Sequence, residues 1–138
     1  MKKIILASHG GLAEGMKATV KMLSGMDDGI YAFGFHDGED VKEVFRQVSN
    51  MINDEDEFVI ITDAPGGSVN TVLTPLVEYK NVHLISGMNT ILVLSLALSA
   101  ECDDSSILQN IEEGKNSIVY INDMMKETKK EESGDFFD

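Results

Sequence analysis

The chain has 138 residues, a formal net charge of −13 and a hydrophobic content of 43%. This length suits one ordinary domain, and the apolar content is sufficient for a buried core. The acidic balance argues against nucleic acid or an acidic membrane as a direct partner, because both attract basic surfaces. The single cysteine, Cys102, excludes an internal disulfide and a metal site with several cysteine ligands.

The first apolar run covers residues 4–7 and ends in Ser8, His9 and two glycines. It has no polar alternation, so it predicts a parallel strand buried on both faces. It is too short for a signal peptide or a membrane span. We therefore expect a cytoplasmic protein that meets a membrane only indirectly, through its partners.

Strand-like and helical segments alternate along the chain. Apolar runs predict strands at residues 3–8, 30–35, 58–62, 82–86 and, less regularly, 117–121. Helical spacing and capping residues predict helices at 12–24 with a stop at Gly25, from about 41 to 52, from Ser68 to about 79 with a break at Pro75, from Asn89 or Thr90, and from Ser105 or Ser106 to near Gly114.

This alternation predicts an α/β fold, a three-layer sandwich around a mainly parallel sheet. We expect a flavodoxin-like topology with strand order 2-1-3-4. The fifth strand follows two helices, so an antiparallel direction is possible for it. One domain would cover residues 1–122, and the charged residues 123–138 would form a flexible tail.

Two predicted strands end in chemically useful side chains. His9 ends the first strand and Asp63 ends the third. In the expected strand order these strands are neighbours, about 4.8 Å apart, at the point where the strand order reverses. An aspartate there can hold one ring nitrogen of the histidine and leave the other as a nucleophile. The sequence therefore predicts a catalytic pair of His9 and Asp63.

Glycine-rich turns follow both strand ends and lead into helices. Helix N-termini bind anions through free N–H groups, and glycines let the backbone approach the anion closely. A histidine nucleophile beside such groups indicates phosphoryl transfer without a metal or cofactor. The predicted phosphate-binding residues are Gly10, Gly11, Gly66, Gly67 and Ser68.

The other histidines and the cysteine have simpler interpretations. His36 precedes a turn and reads as an exposed loop residue that could line the rim of the site. His83 lies near the start of the fourth strand, at the opposite end from His9. Cys102 reads as a small, partly buried residue late in a helix.

Three motifs together resemble one protein family. They are residues 8–15 (SHGGLAEG), 63–70 (DAPGGSVN) and 85–89 (ISGMN). In this order they resemble the IIA component of mannose-family (mannose, fructose and sorbose type) sugar transport in the phosphoenolpyruvate-dependent phosphotransferase system. The resemblance spans roughly residues 1–121.

The resemblance implies a phosphoryl relay in sugar uptake. His9 would accept a phosphoryl group from the phosphocarrier protein HPr and pass it to a IIB component. Asp63 would orient the His9 ring, and Ser68 would lie beside the phosphohistidine. The family is dimeric, often with its last strand exchanged between subunits, so residues 117–121 would be exchanged in a homodimer.

Two alternatives stay open at this point. Many family members carry Pro-aromatic-Asn after Gly-Gly-Ser, whereas this chain has Val69 and Asn70. The phosphotransferase subunit of dihydroxyacetone kinases resembles the same fold, but it usually lacks the doubled glycine seen at Gly66 and Gly67. A non-catalytic regulatory module could use the same turns to bind a small anion reversibly.

Overall fold

The computed structural model describes residues 1–26 and 28–137. Within these residues four strands alternate with helices. The strands are β1 (Lys2–His9), β2 (Ile30–Phe35), β3 (Glu57–Thr62) and β4 (Val82–Ser86). The helices are α1 (Leu12–Ser24), α2 (Val41–Ser49), α3 (Ser68–Leu73), a 3-10 helix (Thr74–Glu78), α4 (Thr90–Leu98), α5 (Asp104–Asn116) and α6 (Ile121–Phe137).

The sheet has the order β2-β1-β3-β4, and every neighbouring pair is parallel. The order and the flavodoxin-like topology predicted from the sequence are confirmed. Ala7 pairs with Thr62 and His9 pairs with Phe35. β1 and β2 therefore end at the same level, and β3 ends opposite Ala7, so that Asp63 follows it alongside the last residues of β1.

The apolar strands are covered on both faces. Residues of β1 with even numbers, such as Ile4 and Leu6, pack with α1, α4 and α5, and Ile5 and Ala7 pack with α2 and α3 on the opposite face. All four side chains are at most 2% exposed. Burying one such aliphatic side chain contributes roughly 1.5–3 kcal/mol, alanine less. These two cores confirm the three-layer sandwich.

Local sequence signals place several helix ends correctly. Gly25 closes α1 with a φ of 75°, and its N–H donates to Lys21 O at 2.8 Å. Asn89 caps α4 through its side-chain oxygen, which accepts from Leu92 N–H. At Pro75 the α-helical hydrogen bonds cannot continue, and α3 gives way to the 3-10 helix.

Two predicted helix caps are wrong. Ser68 is the first residue of α3, and Gly67 occupies the cap position without a side-chain bond. The cap of α5 is Asp103, whose carboxylate accepts from Ser106 N–H at 3.0 Å, so neither Ser105 nor Ser106 caps it. Cys102 accordingly lies in the connection between α4 and α5 and not within a helix.

The predicted fifth strand at 117–121 is wrong for the single chain. Residues 118–120 join α5 to α6 without regular structure. Their β-branched and aromatic side chains favour a strand, but this preference takes effect only beside a neighbouring strand. The following residues form α6, a helix that the sequence did not predict. The domain bounds at 122 and 123, and the flexibility of the tail, stay predictions.

Candidate functional site

The ends of β1 and β3 bring His9 and Asp63 into direct contact. His9 Nδ1 lies 2.7 Å from Asp63 Oδ2, and the backbone N–H of His9 donates to the same oxygen at 2.9 Å. The other carboxylate oxygen accepts the N–H of Ala64 at 3.0 Å. Because an ionised carboxylate only accepts, Nδ1 carries the ring proton. The lone pair of the unprotonated ring nitrogen is therefore on Nε2.

The start of α3 supplies the group that faces Nε2. Ser68 Oγ lies 2.9 Å from His9 Nε2. The preceding Gly67 lies against the ring, and a Cβ at this position would be 3.4 Å from His9 Cε1. A side chain at this position would therefore begin in van der Waals contact with the imidazole and in tighter contact, at 3.3 Å, with Ala64 O. The ring is held between Asp63 on one nitrogen and Ser68 on the other.

Phe35, at the end of β2, forms the remaining wall of the ring site. Its ring meets the His9 ring edge to face, with centroids 5.8 Å apart and an interplanar angle of 72°. The side chain of His9 is still 46% exposed, whereas that of Asp63 is 13% exposed. The imidazole is thus fixed in orientation but open to a partner from solvent. Sequence reasoning missed Phe35, although its pairing with His9 follows from the register of β1 and β2.

Burial and hydrogen bonding act in opposite directions on Asp63. Desolvation raises the pKa of this carboxyl, but the bonds from the His9 backbone and ring lower it by more. The net pKa lies below the ordinary aspartate value. Asp63 therefore stays ionised and able to hold Nδ1–H at neutral pH.

Glycine turns follow the ends of β1 and β3 and lead into α1 and α3. Gly10 and Gly66 have φ values of 58° and 78°, which glycine adopts without strain. The N–H of Gly10 donates to Phe35 O, and that of Gly67 donates to Ala64 O. Among the described residues, four backbone N–H groups at these turns donate to no backbone carbonyl. They belong to Gly11, Leu12, Gly66 and Ser68.

The chain matches the family model described as "PTS system fructose IIA component" over residues 3–113. The chain belongs to this family. The match covers the four strands and the helices as far as most of α5, and it includes His9, Asp63 and Ser68. The family assignment confirms the resemblance seen in the three sequence motifs, and it gives the chain a general role in a sugar phosphotransferase system.

Solved structures of the same kind superpose closely on this IIA chain. A candidate phosphotransferase system permease from Klebsiella pneumoniae is 28% identical, with a TM-score of 0.81, 90% of this chain covered and 93% of that chain. A component EIIA from Streptococcus agalactiae is 25% identical, with a TM-score of 0.81 and coverages of 88% and 98%.

A IIA protein associated with the fucose utilization operon of Streptococcus pneumoniae is 27% identical, with a TM-score of 0.77 and coverages of 90% and 96%. No curated protein sequence matches the chain closely enough to serve as a relative. Among the described helices of this IIA chain, none combines the length and apolar character that crossing a membrane requires.

A buried hydrogen-bond network lies next to the site of this IIA component, between the ends of β3 and β4 and the start of α3. Thr62 is fully buried, and its hydroxyl donates to Asn70 Oδ1 at 2.9 Å and lies 2.7 Å from Ser86 Oγ. The backbone carbonyl of Thr62 accepts the N–H groups of Gly87 and Met88. The network joins the end of β3 to α3 and to the end of β4. A polar residue at the end of an apolar strand was the signal that could have revealed it.

The remaining histidines lie apart from the pair. His36 follows β2, and its ring packs on Gly34, where an added Cβ would be 2.9 Å from His36 Nε2 and 2.7 Å from Gly10 O. This places His36 beside the Gly10 turn, as the rim interpretation requires. His83 lies near the amino end of β4, close to Glu57, far along the strands from His9.

Proposed function

We propose that this chain relays a phosphoryl group in sugar uptake, with His9 as the residue that carries it. The observation that supports this proposal is the fixed imidazole. Asp63 holds Nδ1 at 2.7 Å, while Nε2 points to the Ser68 hydroxyl on a 46% exposed side chain. A ring in this state has one unprotonated nitrogen, and a rotation of the Ser68 hydroxyl exposes its lone pair to a phosphoryl donor that approaches from solvent.

The transfer needs no metal or proton relay at its central step. The His9 Nε2 lone pair attacks the phosphorus of phospho-HPr, the new N–P bond forms, and the donor's N–P bond breaks with its electron pair returning to the donor nitrogen. The phosphorylated His9 ring gains positive character, which the Asp63 carboxylate stabilises. A IIB component of a mannose-family transporter then takes the phosphoryl group by the same displacement.

The turn residues would hold the phosphoryl oxygens. The free N–H groups of Gly11, Gly66 and Ser68, with the Ser68 hydroxyl, form the donors of this proposed site, and the helix starts favour negative charge. Gly10 and Gly67 would contribute through shape, since their own N–H groups are engaged. This division of roles is more specific than the sequence prediction of five equivalent residues.

We also propose a cytoplasmic homodimer that reaches the membrane only through the transporter. Apolar side chains of the α5–α6 connection and of the first five residues of α6 are at least half exposed. They are Ile118, Val119, Tyr120, Ile121, Met124 and Met125. A second copy of the chain would cover them, and residues 118–120 would gain strand partners at an edge of the other subunit's sheet. Light scattering of wild type and Val119→Asp tests this: the proposal requires a dimer that the aspartate weakens.

The decisive experiment for the relay is intact mass after incubation with phosphoenolpyruvate, enzyme I and HPr. Wild type should gain one phosphoryl group, which acid removes, and His9→Ala should gain none. His83→Ala, which removes a histidine at the opposite end of the sheet, should be phosphorylated like wild type. Phosphorylation of His9→Ala would overturn the proposal. No gain in wild type, with active HPr confirmed, would favour the regulatory anion-binding module.

A second assay separates the sugar transporter from the dihydroxyacetone kinase alternative. The phosphorylated chain is mixed with a mannose-family IIB protein or with the kinase subunits of a dihydroxyacetone kinase system. Loss of the phosphoryl group to IIB supports the proposal. Loss only to the kinase subunit would assign the chain to the alternative, which the doubled glycine at Gly66 and Gly67 argues against.

A further inference from the structure

The amino ends of the strands gather three different metal-ligating side chains on one face of the sheet. They are Glu57 at the start of β3, His83 in β4 and Cys102 in the α4–α5 connection. One ligand atom from each side chain lies within 4.8 Å of the other two. These residues lie at the opposite end of the strands from His9, so the phosphoryl relay does not use them.

The strand register explains why the three side chains meet. His83 pairs with Val59, and Glu57 lies two residues before Val59 on the same face of β3. This is the face that α1, α4 and α5 cover, and Cys102 packs against the same core from the α4–α5 connection. The cluster is therefore built on two paired strands and one short connection, which gives it a rigid base.

We propose that Glu57, His83 and Cys102 bind a Zn²⁺ ion, with water as the fourth ligand. Carboxylate, imidazole and thiolate are the protein ligands that zinc takes in tetrahedral sites. Ligand atoms around a tetrahedral zinc lie about 3.4 Å apart. His83 Nε2 and Glu57 Oε2 are already 3.3 Å apart, so the cluster needs only a small inward movement of the thiol.

The surroundings of the cluster fit a bound cation. Asp104 Oδ1 lies 3.9 Å from His83 Nδ1, so a rotation of this exposed side chain would bring it into hydrogen-bond distance of a metal-bound imidazole. Glu57 and the Cys102 thiolate together balance the charge of Zn²⁺. The nearby Lys2 ammonium is engaged by the carbonyls of Leu96 and Ser99, at the end of α4.

Binding exchanges a proton for the metal. Burial raises the pKa of the Cys102 thiol, Glu57 adds to the increase, and Lys2 opposes it. The thiol is thus protonated before zinc arrives. As the zinc–sulfur bond forms, the S–H bond breaks and its proton leaves to the buffer. Glu57 is exposed at the surface and His83 is partly exposed, so the ion reaches the site from solvent.

The test uses the full chain, reduced and treated with a chelator, and Co²⁺ as a coloured probe for the zinc site. One equivalent of Co²⁺ should produce a thiolate-to-cobalt charge-transfer band in the near ultraviolet, and Zn²⁺ should abolish it. Since Cys102 is the only cysteine, this band identifies its sulfur as a ligand. Saturation without the band, or with more than one equivalent, would overturn the proposal.

Variants then separate this cluster from the relay site. His83→Gln and Glu57→Gln should each weaken Zn²⁺ binding by about 10- to 100-fold, measured by competition with a chromophoric chelator. His9→Ala, which removes a histidine at the other end of the sheet, should bind zinc like wild type. Equal affinity in His83→Gln and wild type, or a loss in His9→Ala, would contradict the proposal.

A measurement on wild type covers the case of a variant that does not fold. Zn²⁺ should slow the alkylation of Cys102 by iodoacetamide in the native protein, and Mg²⁺ at the same concentration should not. Equal alkylation rates with and without Zn²⁺ would exclude a zinc–thiolate bond. Neither readout involves phosphorylation, so failure of the relay leaves this test unaffected.

Discussion

Each end of the parallel sheet carries a histidine beside a carboxylate, yet the surroundings of the two pairs are opposite in character. At the carboxyl end, His9 Nδ1 lies 2.7 Å from Asp63, and helices α1 and α3 begin there. At the amino end, His83 Nε2 lies 3.3 Å from Glu57, and α4 ends nearby with carbonyls that bind Lys2. The His9 end therefore presents N–H donors from α1 and α3, whereas the His83 end presents the carbonyls at the end of α4 together with the start of α5 at Asp104.

This difference follows from the direction of the chain in a parallel α/β fold. Every crossover helix begins above the carboxyl ends of the strands and ends near their amino ends. The dipoles of the crossover helices therefore favour anions at the His9 end, and at the His83 end the negative charges of Glu57 and Asp104 favour a cation. The same residue types can then serve phosphoryl transfer at one end and metal binding at the other. The predictions below test how strongly each end is organised.

The largest effect should come from Asp63→Asn. An asparagine amide cannot hold Nδ1–H as a carboxylate does, so the ring turns and Nε2 loses its alignment with the incoming phosphorus. Misplacing a reacting atom by about 1 Å costs about a hundredfold in rate, which is the decrease we expect. The rate of phosphoryl transfer from phospho-HPr, followed by intact mass after rapid quenching, measures it.

The matched control for this prediction is Asp54→Asn. Asp54 lies in the exposed turn before β3, at the amino end of the sheet. The same loss of charge should leave the transfer rate unchanged there. If both variants slowed equally, net charge and not the held imidazole would be the cause. An unchanged rate in Asp63→Asn would remove the orienting role of Asp63.

Thr62→Val should weaken the folded state by about 1–3 kcal/mol. Valine keeps the shape but removes the hydroxyl that bonds Asn70 and contacts Ser86 in a buried position. The Asn70 oxygen would then lack its partner. Urea unfolding measures the loss, and Thr71→Val, on the exposed side of α3, should change stability by less than about 0.5 kcal/mol. Equal stability of the two variants would mean that the network contributes nothing.

Ser68→Ala should slow transfer by about tenfold, because the phosphoryl group loses one hydrogen bond worth about 1.4 kcal/mol. The Ser68 hydroxyl faces His9 Nε2 at 2.9 Å before transfer and would turn to the phosphoryl oxygens after it. Ser105→Ala, on the exposed surface of α5, is the matched control. A Ser68→Ala rate equal to that of the control would show that backbone donors alone hold the phosphoryl group.

The carboxyl end of the sheet was predictable because its signals are local or follow from topology. Apolar runs mark the strands, and Gly25 and Gly87 mark the ends of α1 and β4. A parallel sheet then brings the carboxyl ends of its strands to one edge. His9 and Asp63 therefore come together in any sheet of this order. The contact of Phe35 with His9 needed the register of β2, which the sequence alone does not provide.

The amino end and the C-terminal part were harder to predict for physical reasons. Residues 118–120 favour a strand, but a strand needs a partner, and β propensity carries no information about one. Asp103 caps α5 because the helix starts before the serines that were expected to cap it. The cluster of Glu57, His83 and Cys102 depends on strand register and on the path of the α4–α5 connection, so no spacing in the sequence reveals it.

The smallest effect concerns acid stability at the amino end. Hydrogen bonds from Asn53 and Lys3 lower the pKa of Asp56 to about 2. An aspartate in the unfolded chain has a pKa of about 3.9. The Asp56 carboxylate therefore stabilises the fold above that pH, and this contribution is lost as the pH falls toward 2. Asp56→Asn should therefore show a smaller decrease in urea midpoint between neutral and acidic pH than wild type, and Asp54→Asn should resemble wild type.

The size of this acid effect also tests the contrast between the two ends. Asp56 pairs with the Lys3 ammonium at 3.0 Å, a charge–charge interaction that high salt should weaken. Asp63 also has a lowered pKa, but its carboxylate is held by the neutral N–H groups of the His9 and Ala64 backbone, so salt should affect it less. Suppose that high salt reduced the loss of stability at acidic pH that Asp56 causes and the loss that Asp63 causes by the same amount. In that case the carboxyl end would be no more shielded from salt than the amino end.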